Sequence, residues 1–393
     1  MSINRLAILK KLHLLLLLLC IILKYYPKER ESLGENLSRQ CEYDIQHLCP
    51  SCFPGPNECN FFKDRLTADE NDPLDQLACQ FNQHGVSYGV LDKNQTVVIK
   101  RLNQNEQVEH LRDLLCEKFK IAEKNCEFGN DELFLATLRR MVLNKDRVEG
   151  CIICPVNDEA ALDRLLYKFN GPELLKLILI YTNAQPLLLQ LLNENNLRAP
   201  KFMFQGGFTL VESFDGDRLT NFYSSSIKTR LTIANELVNA ILSITDGFDG
   251  FRFYLTDINP DNIAIKLQSN DTVMVSFIDV NNIIVLDSRS DRLGRDRQKT
   301  VHTRIECDGC FAYVQDEICS HQYSDINLFA ICQLFLENLN GNSNAGFLHF
   351  AENRPELKRI QELLKHCVYC HPPDCQDRKM ILQEIQRTIQ LIK

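Results

Sequence analysis

Two stretches of alternating apolar and polar residues, HGVSYGVL (84–91) and TVVIKRL (96–102), flank the turn-forming DKNQ and predict a β-hairpin. KFMFQGG (201–207) with FTLVESF (208–214) reads as a strand pair, and IAIKL (263–267) with VMVSFIDV (273–280) around QSNDT as a further hairpin. Elsewhere apolar residues recur at spacings of three and four. They predict helices over 104–119, 158–169, 173–192, 228–244, 324–339, 355–366 and 377–392. Residues 66–77 read as a helical linker. The amino terminus has a different pattern: Arg5, Lys10 and Lys11 precede LHLLLLLLCIIL (12–23), which has no polar face, and a charged segment follows. This is a signal sequence in form. No small-residue cleavage site follows it, so a cleaved signal peptide and an uncleaved signal anchor both stay open for residues 1–25.

Composition narrows the setting. With 393 residues, 45% of them hydrophobic, the chain can bury one large core or two lobes. A net charge of −8 and the lack of a basic stripe interleaved with aromatics exclude a nucleic-acid partner. The amino-terminal run instead predicts entry to the secretory pathway, as an ER or Golgi lumenal, secreted or type II membrane-anchored protein. Cysteine usage agrees: of 17 cysteines, 16 lie outside the apolar run, an even number suited to disulfides in an oxidising compartment. Four CxxC pairs occur, at Cys49/Cys52, Cys151/Cys154, Cys307/Cys310 and Cys367/Cys370. No two pairs have the spacing of a zinc ribbon, and none sits between a strand and a helix start in a βαβ unit. Structural disulfides are therefore favoured over zinc or redox chemistry. Asn36, Asn94 and Asn270 each open a glycosylation triplet, the last two on predicted hairpin turns, where they are sterically open.

Candidate chemistry centres on YLTDINPDN (254–262). Pro260 stops any helix and Asn-Pro-Asp-Asn is turn chemistry, so Asp257 and Asn262 project from a loop. Asp279 ends an apolar strand, where a carboxylate is costly unless paired or metal-bound. Lys100 ends the strand TVVIK. In this order, on these elements, the residues match the working parts of a bilobal protein kinase. Lys100 binds ATP phosphates, Asp257 is the catalytic base, and Asn262 and Asp279 hold Mg²⁺ or Mn²⁺. The expected fold is α+β and kinase-like, with a small β-rich upper lobe carrying a helical insert and a larger helical lower lobe, linked by disulfides. Gly85 and Gly89 fall in the loop over the nucleotide. Glu212 falls beside the adenine position and reads as an exposed strand-end carboxylate. Gln185 stands where the upper-lobe helix of a kinase offers a Glu to the Lys, and Asp325 where an Asp braces the catalytic loop from below. Thr256 replaces an Arg that reads activation-loop phosphorylation, and Asn259 a Lys that neutralises the transferring phosphate.

The motifs CPSCF (49–53), VVIKRL (97–102), LLCEKF (114–119), NCEFGND (125–131), NAQPLLLQLL (183–192), FYLTDINPDNIAI (253–265), FIDVNNIIV (277–285) and EICSHQYSDINLFAICQ (317–333) carry a wider likeness. The chain resembles the divergent protein kinase domain family of the secretory pathway, most closely its Deleted in Autism branch. That resemblance implies a Cys-containing lumenal segment over 26–78, an upper lobe over 79–214 and a lower lobe over 215–393. It also implies a Golgi-associated or secreted protein acting on a lumenal or extracellular protein substrate or receptor. Two activities fit: phosphoryl transfer from ATP to hydroxyls, or a weak or inactive pseudokinase serving as a secreted paracrine factor or scaffold.

Overall fold

The computed structural model describes residues 32–68, 85–102, 105–120, 127–129, 132–144, 150–268, 272–302, 313–337, 345–350, 354–370 and 375–392. The expected leader, the tip of the 263–280 hairpin with Asn270, and the Cys307/Cys310 pair lie outside these residues. Among the described residues no single helix is long and apolar enough to cross a membrane.

Helix α1 (Leu33–Tyr43) opens with a capping box: the Glu35 N–H donates to Ser32 Oγ at 3.2 Å and the Ser32 N–H to the Glu35 carboxylate at 3.0 Å. The Cys41–Cys59 disulfide ties it to the segment entering α2 (Asn60–Arg65). Residues 66–68 then form a strand, β1 (Leu66–Ala68), where a helical linker was expected, because they find an edge in β2 (Val86–Leu91) to pair with. The first predicted hairpin is β2 with β3 (Gln95–Arg101); Leu91 pairs with Gln95 across a loop of Asp92, Lys93 and Asn94, in which Asp92 and Lys93 both adopt positive φ.

Helices α3 (Asn105–Phe119) and α4 (Glu132–Val142), strand β4 (Cys151–Cys154) and helices α5 (Glu159–Lys168), α6 (Glu173–Thr182) and α7 (Gln185–Glu194) come next. The pair β5 (Phe202–Gly206) and β6 (Thr209–Ser213) completes an upper sheet of order β1-β2-β3-β6-β5. The amino-terminal segment is docked onto this sheet. Asp44 is fully buried, grips both terminal nitrogens of Arg101, and accepts from the Phe208 N–H at 2.8 Å. Gly207, at φ +55°, leaves room for it, since a Cβ there would lie 2.6 Å from Asp44 Oδ2.

Below, β7 (Asp217–Arg218) leads to the long helix α8 (Ile227–Asp246), capped by Ser226 and burying Leu231, Ala234, Leu237, Val238 and Ile241 at helical spacing. Strand β8 (Phe251–Leu255) precedes the predicted hairpin β9 (Ile263–Leu267) and β10 (Val273–Phe277), then β11 (Ile283–Asp287) and β12 (Gly294–Gln298). Helix α9 (Gln315–Cys319), strand β13 (His321–Ser324) and helices α10 (Ile326–Leu336), α11 (Pro355–Tyr369) and α12 (Arg378–Ile392) complete the lobe. Helix α10 is buried on nearly all sides and packs against α8 and α11, so it is the centre of the lower core. The fold is the bilobal kinase-like α+β arrangement.

The helical insert is shared between the lobes. Strand β4 runs parallel beside β11 in the lower-lobe sheet β4-β11-β8, and a disulfide joins Cys154 to Cys319. Further disulfides are Cys49–Cys52, Cys332–Cys367 and Cys370–Cys375. The Cys49/Cys52 pair closes on itself, whereas Cys154, Cys367 and Cys370 bond elsewhere and so are unavailable as thiolate ligands.

Candidate functional site

A cleft of about 550 Å³ lies between the upper sheet and the loops of the lower lobe. In the β3–β6 register Lys100 faces Leu210 and Val98 faces Glu212, so Lys100 and Glu212 are diagonal neighbours on one face of the sheet. Lys100 Nζ lies 2.8 Å from Glu212 Oε1 and donates to the Ile278 carbonyl at 2.5 Å. Gln185, at the start of α7, donates through Nε2 to Glu212 Oε2 at 2.7 Å and to the same carbonyl at 3.3 Å.

The sequence placed Glu212 at the surface, and this is corrected: it is 1% exposed, because the pleat turns it inward beneath the sheet. Burial pushes its carboxyl above the usual range, while the Lys100 charge and the hydrogen bonds from Lys100 and Gln185 pull it back. Gln185 thus reaches Lys100 indirectly. The carboxylate that a helix would bring is supplied by the sheet itself.

The lower wall answers why Asn, Pro and Asp crowd into 257–262. Asn259 Oδ1 accepts from the N–H groups of Asp261 and Asn262, at 2.9 and 3.1 Å, and caps the short turn Pro260–Asn262. Its Nδ2 donates to Asp257 Oδ1 at 2.7 Å, and Asn262 Nδ2 donates to Asp257 Oδ2 at 2.8 Å. Asn259, read from sequence only as a lost charge, is one jaw of a clamp on Asp257. Asn262 and Asp279 both line the cleft, and the Ile278 N–H donates to the Asn262 carbonyl at 3.0 Å, which joins their two loops.

The residues after Asp279 are pinned on several sides. Val280 is fully buried, and Asn281 Oδ1 accepts from the Ala184 N–H at 3.1 Å, just before α7. Asn282 Oδ1 accepts from the Gly150 N–H at 3.1 Å, and its carbonyl from the Thr256 N–H at 3.1 Å.

Other expected residues fall differently. Gly85 lines the cleft, but Gly89 does not: a Cβ on it would lie 3.0 Å from Ile99 and 3.2 Å from the Thr67 carbonyl, so it serves the packing of β1 on β2. Asp325 bonds the Thr300 N–H at 2.7 Å and pairs with the fully buried Arg378. The 254–262 loop is braced two residues later. Asn327 accepts from the Leu255 N–H at 2.9 Å and donates to the Phe253 carbonyl at 2.8 Å and to Thr245 Oγ1 at 2.9 Å, holding β8 just ahead of Asp257. Asp215 and Asp261, which sequence reasoning passed over, also line the cleft. Their signal was proximity: Asp261 adjoins Asn262, and Asp215 follows β6. Asn94 is exposed at its hairpin turn and Asn36 on the first turn of α1.

Comparison with known proteins agrees with this architecture. The family model described as the protein-kinase domain of FAM69 matches residues 177–369, a span running from α6 to the end of α11. The chain is 25% identical over 358 residues to Divergent protein kinase domain 2A of Xenopus tropicalis, covering 81% of each. It is 23% identical over 404 residues to the Mus musculus protein of the same name, covering 93% of this chain and 92% of the relative. With a bilobal fold whose interlobe cleft gathers Lys100, Asn262 and Asp279, the chain is similar in sequence and in architecture to the divergent protein kinases.

Proposed function

We propose that the chain is a secretory-pathway kinase that binds ATP with Mg²⁺ or Mn²⁺ in the interlobe cleft and passes a phosphoryl group to a lumenal or extracellular hydroxyl. The observation that carries this reading is the meeting of Lys100, Asn262 and Asp279 in one cleft, with Asp257 clamped to Asn262. An ammonium has three N–H donors; two of those on Lys100 go to Glu212 and the Ile278 carbonyl, which leaves one for a phosphate oxygen.

The residues fit a hard divalent cation. Asn262 and Asp279 offer oxygen ligands only, the set that Mg²⁺ and Mn²⁺ take together with water and phosphate. The cleft is lined by Glu212, Asp215, Asp261 and Asp279 against Lys100, Arg101 and Arg218, so a triphosphate adds negative charge to a lining with no cationic surplus. A bound divalent ion would supply the missing neutralisation. Asp257 then takes the proton of the attacking hydroxyl, while Asn259 and Asn262 fix both its oxygens.

The alternative is a pseudokinase acting as a secreted paracrine factor or scaffold. It draws support from Gln185 at the helix position, from Thr256, and from the neutral surroundings of Asp257. A turnover assay separates the two. The kinase reading expects Asp257→Ala to lower phosphoryl transfer about 10²-fold or more while ATP still binds. Transfer at the parent rate with Ala at 257 would rule out that mechanism, and no transfer by the parent chain would favour the pseudokinase.

A further inference from the structure

A second chamber, of about 600 Å³, adjoins the cleft; Gln107 and Asn281 line both. Asp257 lines this chamber, whereas Asn262 and Asp279 line the cleft, so the proposed base and the proposed metal ligands serve neighbouring spaces. We propose that the chamber is the acceptor site and that its substrate is an uncharged sugar, presented as a glycoside. This rests on the phosphoryl-transfer reading and gives it a substrate class.

The lining argues for that chemistry. It carries the amides of Gln107, Asn281 and Asn282, the hydroxyls of Tyr181, Thr182 and Thr256 and the His110 ring; Asn281 and Asn282 each accept a backbone N–H through Oδ1, and Thr182 donates to the Ile178 carbonyl. Among the described lining residues none is Lys or Arg, and Asp257 is the only carboxylate. Among the described lining residues an acidic peptide finds no Lys or Arg to pair with, and a basic one finds Asp257 alone. Among the described residues, the backbone groups of Gly150 and the Thr256 N–H are also already paired and offer no edge to an extended peptide. The Gly150 carbonyl accepts from the Ile283 N–H at 3.2 Å, its N–H goes to Asn282 Oδ1, and the Thr256 N–H goes to the Asn282 carbonyl. Amide and hydroxyl side chains both donate and accept, which matches the repeating hydroxyls of a sugar ring, and the Tyr181 ring offers an apolar face. The volume is on the scale of small-molecule pockets.

In the transfer, a sugar hydroxyl oxygen forms a bond to the γ-phosphorus while its proton passes to the Asp257 carboxylate. The bond from that phosphorus to the β–γ bridging oxygen breaks, and the oxygen leaves with the electron pair on ADP.

The test uses the full chain with a panel of methyl glycosides, of xylose, galactose, glucose and N-acetylglucosamine, beside a mixture of Ser- and Thr-containing peptides. Binding is read by ligand-observed NMR without ATP, and transfer by mass spectrometry with ATP and Mn²⁺. Gln107 and His110 are exposed on α3 and line the chamber, so the double variant Gln107→Ala/His110→Ala should keep the parent melting temperature. The expected result is saturable binding of at least one glycoside, weakened about tenfold in the double variant through lost hydrogen bonds. A bound glycoside that never gains phosphate keeps the recognition inference and refutes the catalytic reading alone. No glycoside binding, binding indifferent to the double variant, or phosphorylation of peptides but not glycosides would overturn the inference.

Discussion

The two ends of the cleft are built on opposite principles. At the upper end a cation and a carboxylate, Lys100 and Glu212, are paired within one sheet and sealed by Gln185, with Glu212 almost wholly buried. At the lower end Asp257 is only partly buried and is held by the side-chain amides of Asn259 and Asn262. The upper end fixes a charge and cannot release it without cost. The lower end fixes a position through neutral donors, which suits the base proposed above for Asp257. The difference also bears on control. A lysine partnered from its own sheet does not depend on the placement of a helix, and the pinned loop after Asp279 has few rearrangements open to it.

The comparison breaks most visibly at the buried pair. Lys100→Met leaves Glu212 buried without its cation and should lower unfolding stability by about 3–5 kcal/mol in urea titrations. Adding Glu212→Gln should restore most of that loss, and a double variant as unstable as the single would refute the pairing.

Next in size is the brace under the lower end. Asn327→Leu strips a partner from the buried Leu255 N–H and Phe253 carbonyl and should cost about 2–3 kcal/mol. Transfer activity should fall with it, because β8 delivers Asp257. A smaller change, Asn259→Ala, removes the cap of the 260–262 turn and one jaw of the Asp257 clamp. About 1 kcal/mol of stability should be lost, with a larger proportional effect on turnover than on ATP binding.

The smallest effect sharpens the contrast through pH. Burial raises the Glu212 carboxyl, so the folded chain holds a proton there more readily than the unfolded chain. Its contribution to stability is full below the ordinary carboxylate range and is lost as pH rises through the raised folded value. Stability of the parent relative to Glu212→Gln should therefore decline as pH climbs from about 4. An unchanged or growing advantage would show that pairing with Lys100 outweighs burial.

Much of this was legible in the chain. The hairpins ending near Lys100 and Asp279 followed from alternation and turn residues, and the loop carrying Asp257 and Asn262 from Pro260 and its neighbours. What stayed hidden depends on contacts between distant residues. Glu212 could be recognised as the partner of Lys100 only once the β3–β6 register was known, because a slip of one residue would turn it to the opposite face. Asp325 and Asn327 lie two apart at the head of α10, and only packing decides which one reaches β8. Strand β4 is four residues, CIIC, whose period cannot say that it joins β11 more than a hundred residues later. Disulfide connectivity likewise required the fold.

The central claim is that Lys100, Asn262 and Asp279 form a site for nucleotide and divalent metal together. Thermal denaturation of the full chain with ATP, with Mg²⁺ or Mn²⁺, and with both tests it most directly. The account predicts a rise in melting temperature of about 2 °C or more only when nucleotide and metal are both present at concentrations well above the dissociation constant. Asp279→Asn should abolish that rise while leaving the melting temperature without ATP little changed. Metal-independent stabilisation by ATP, or a full response in Asp279→Asn, would contradict it.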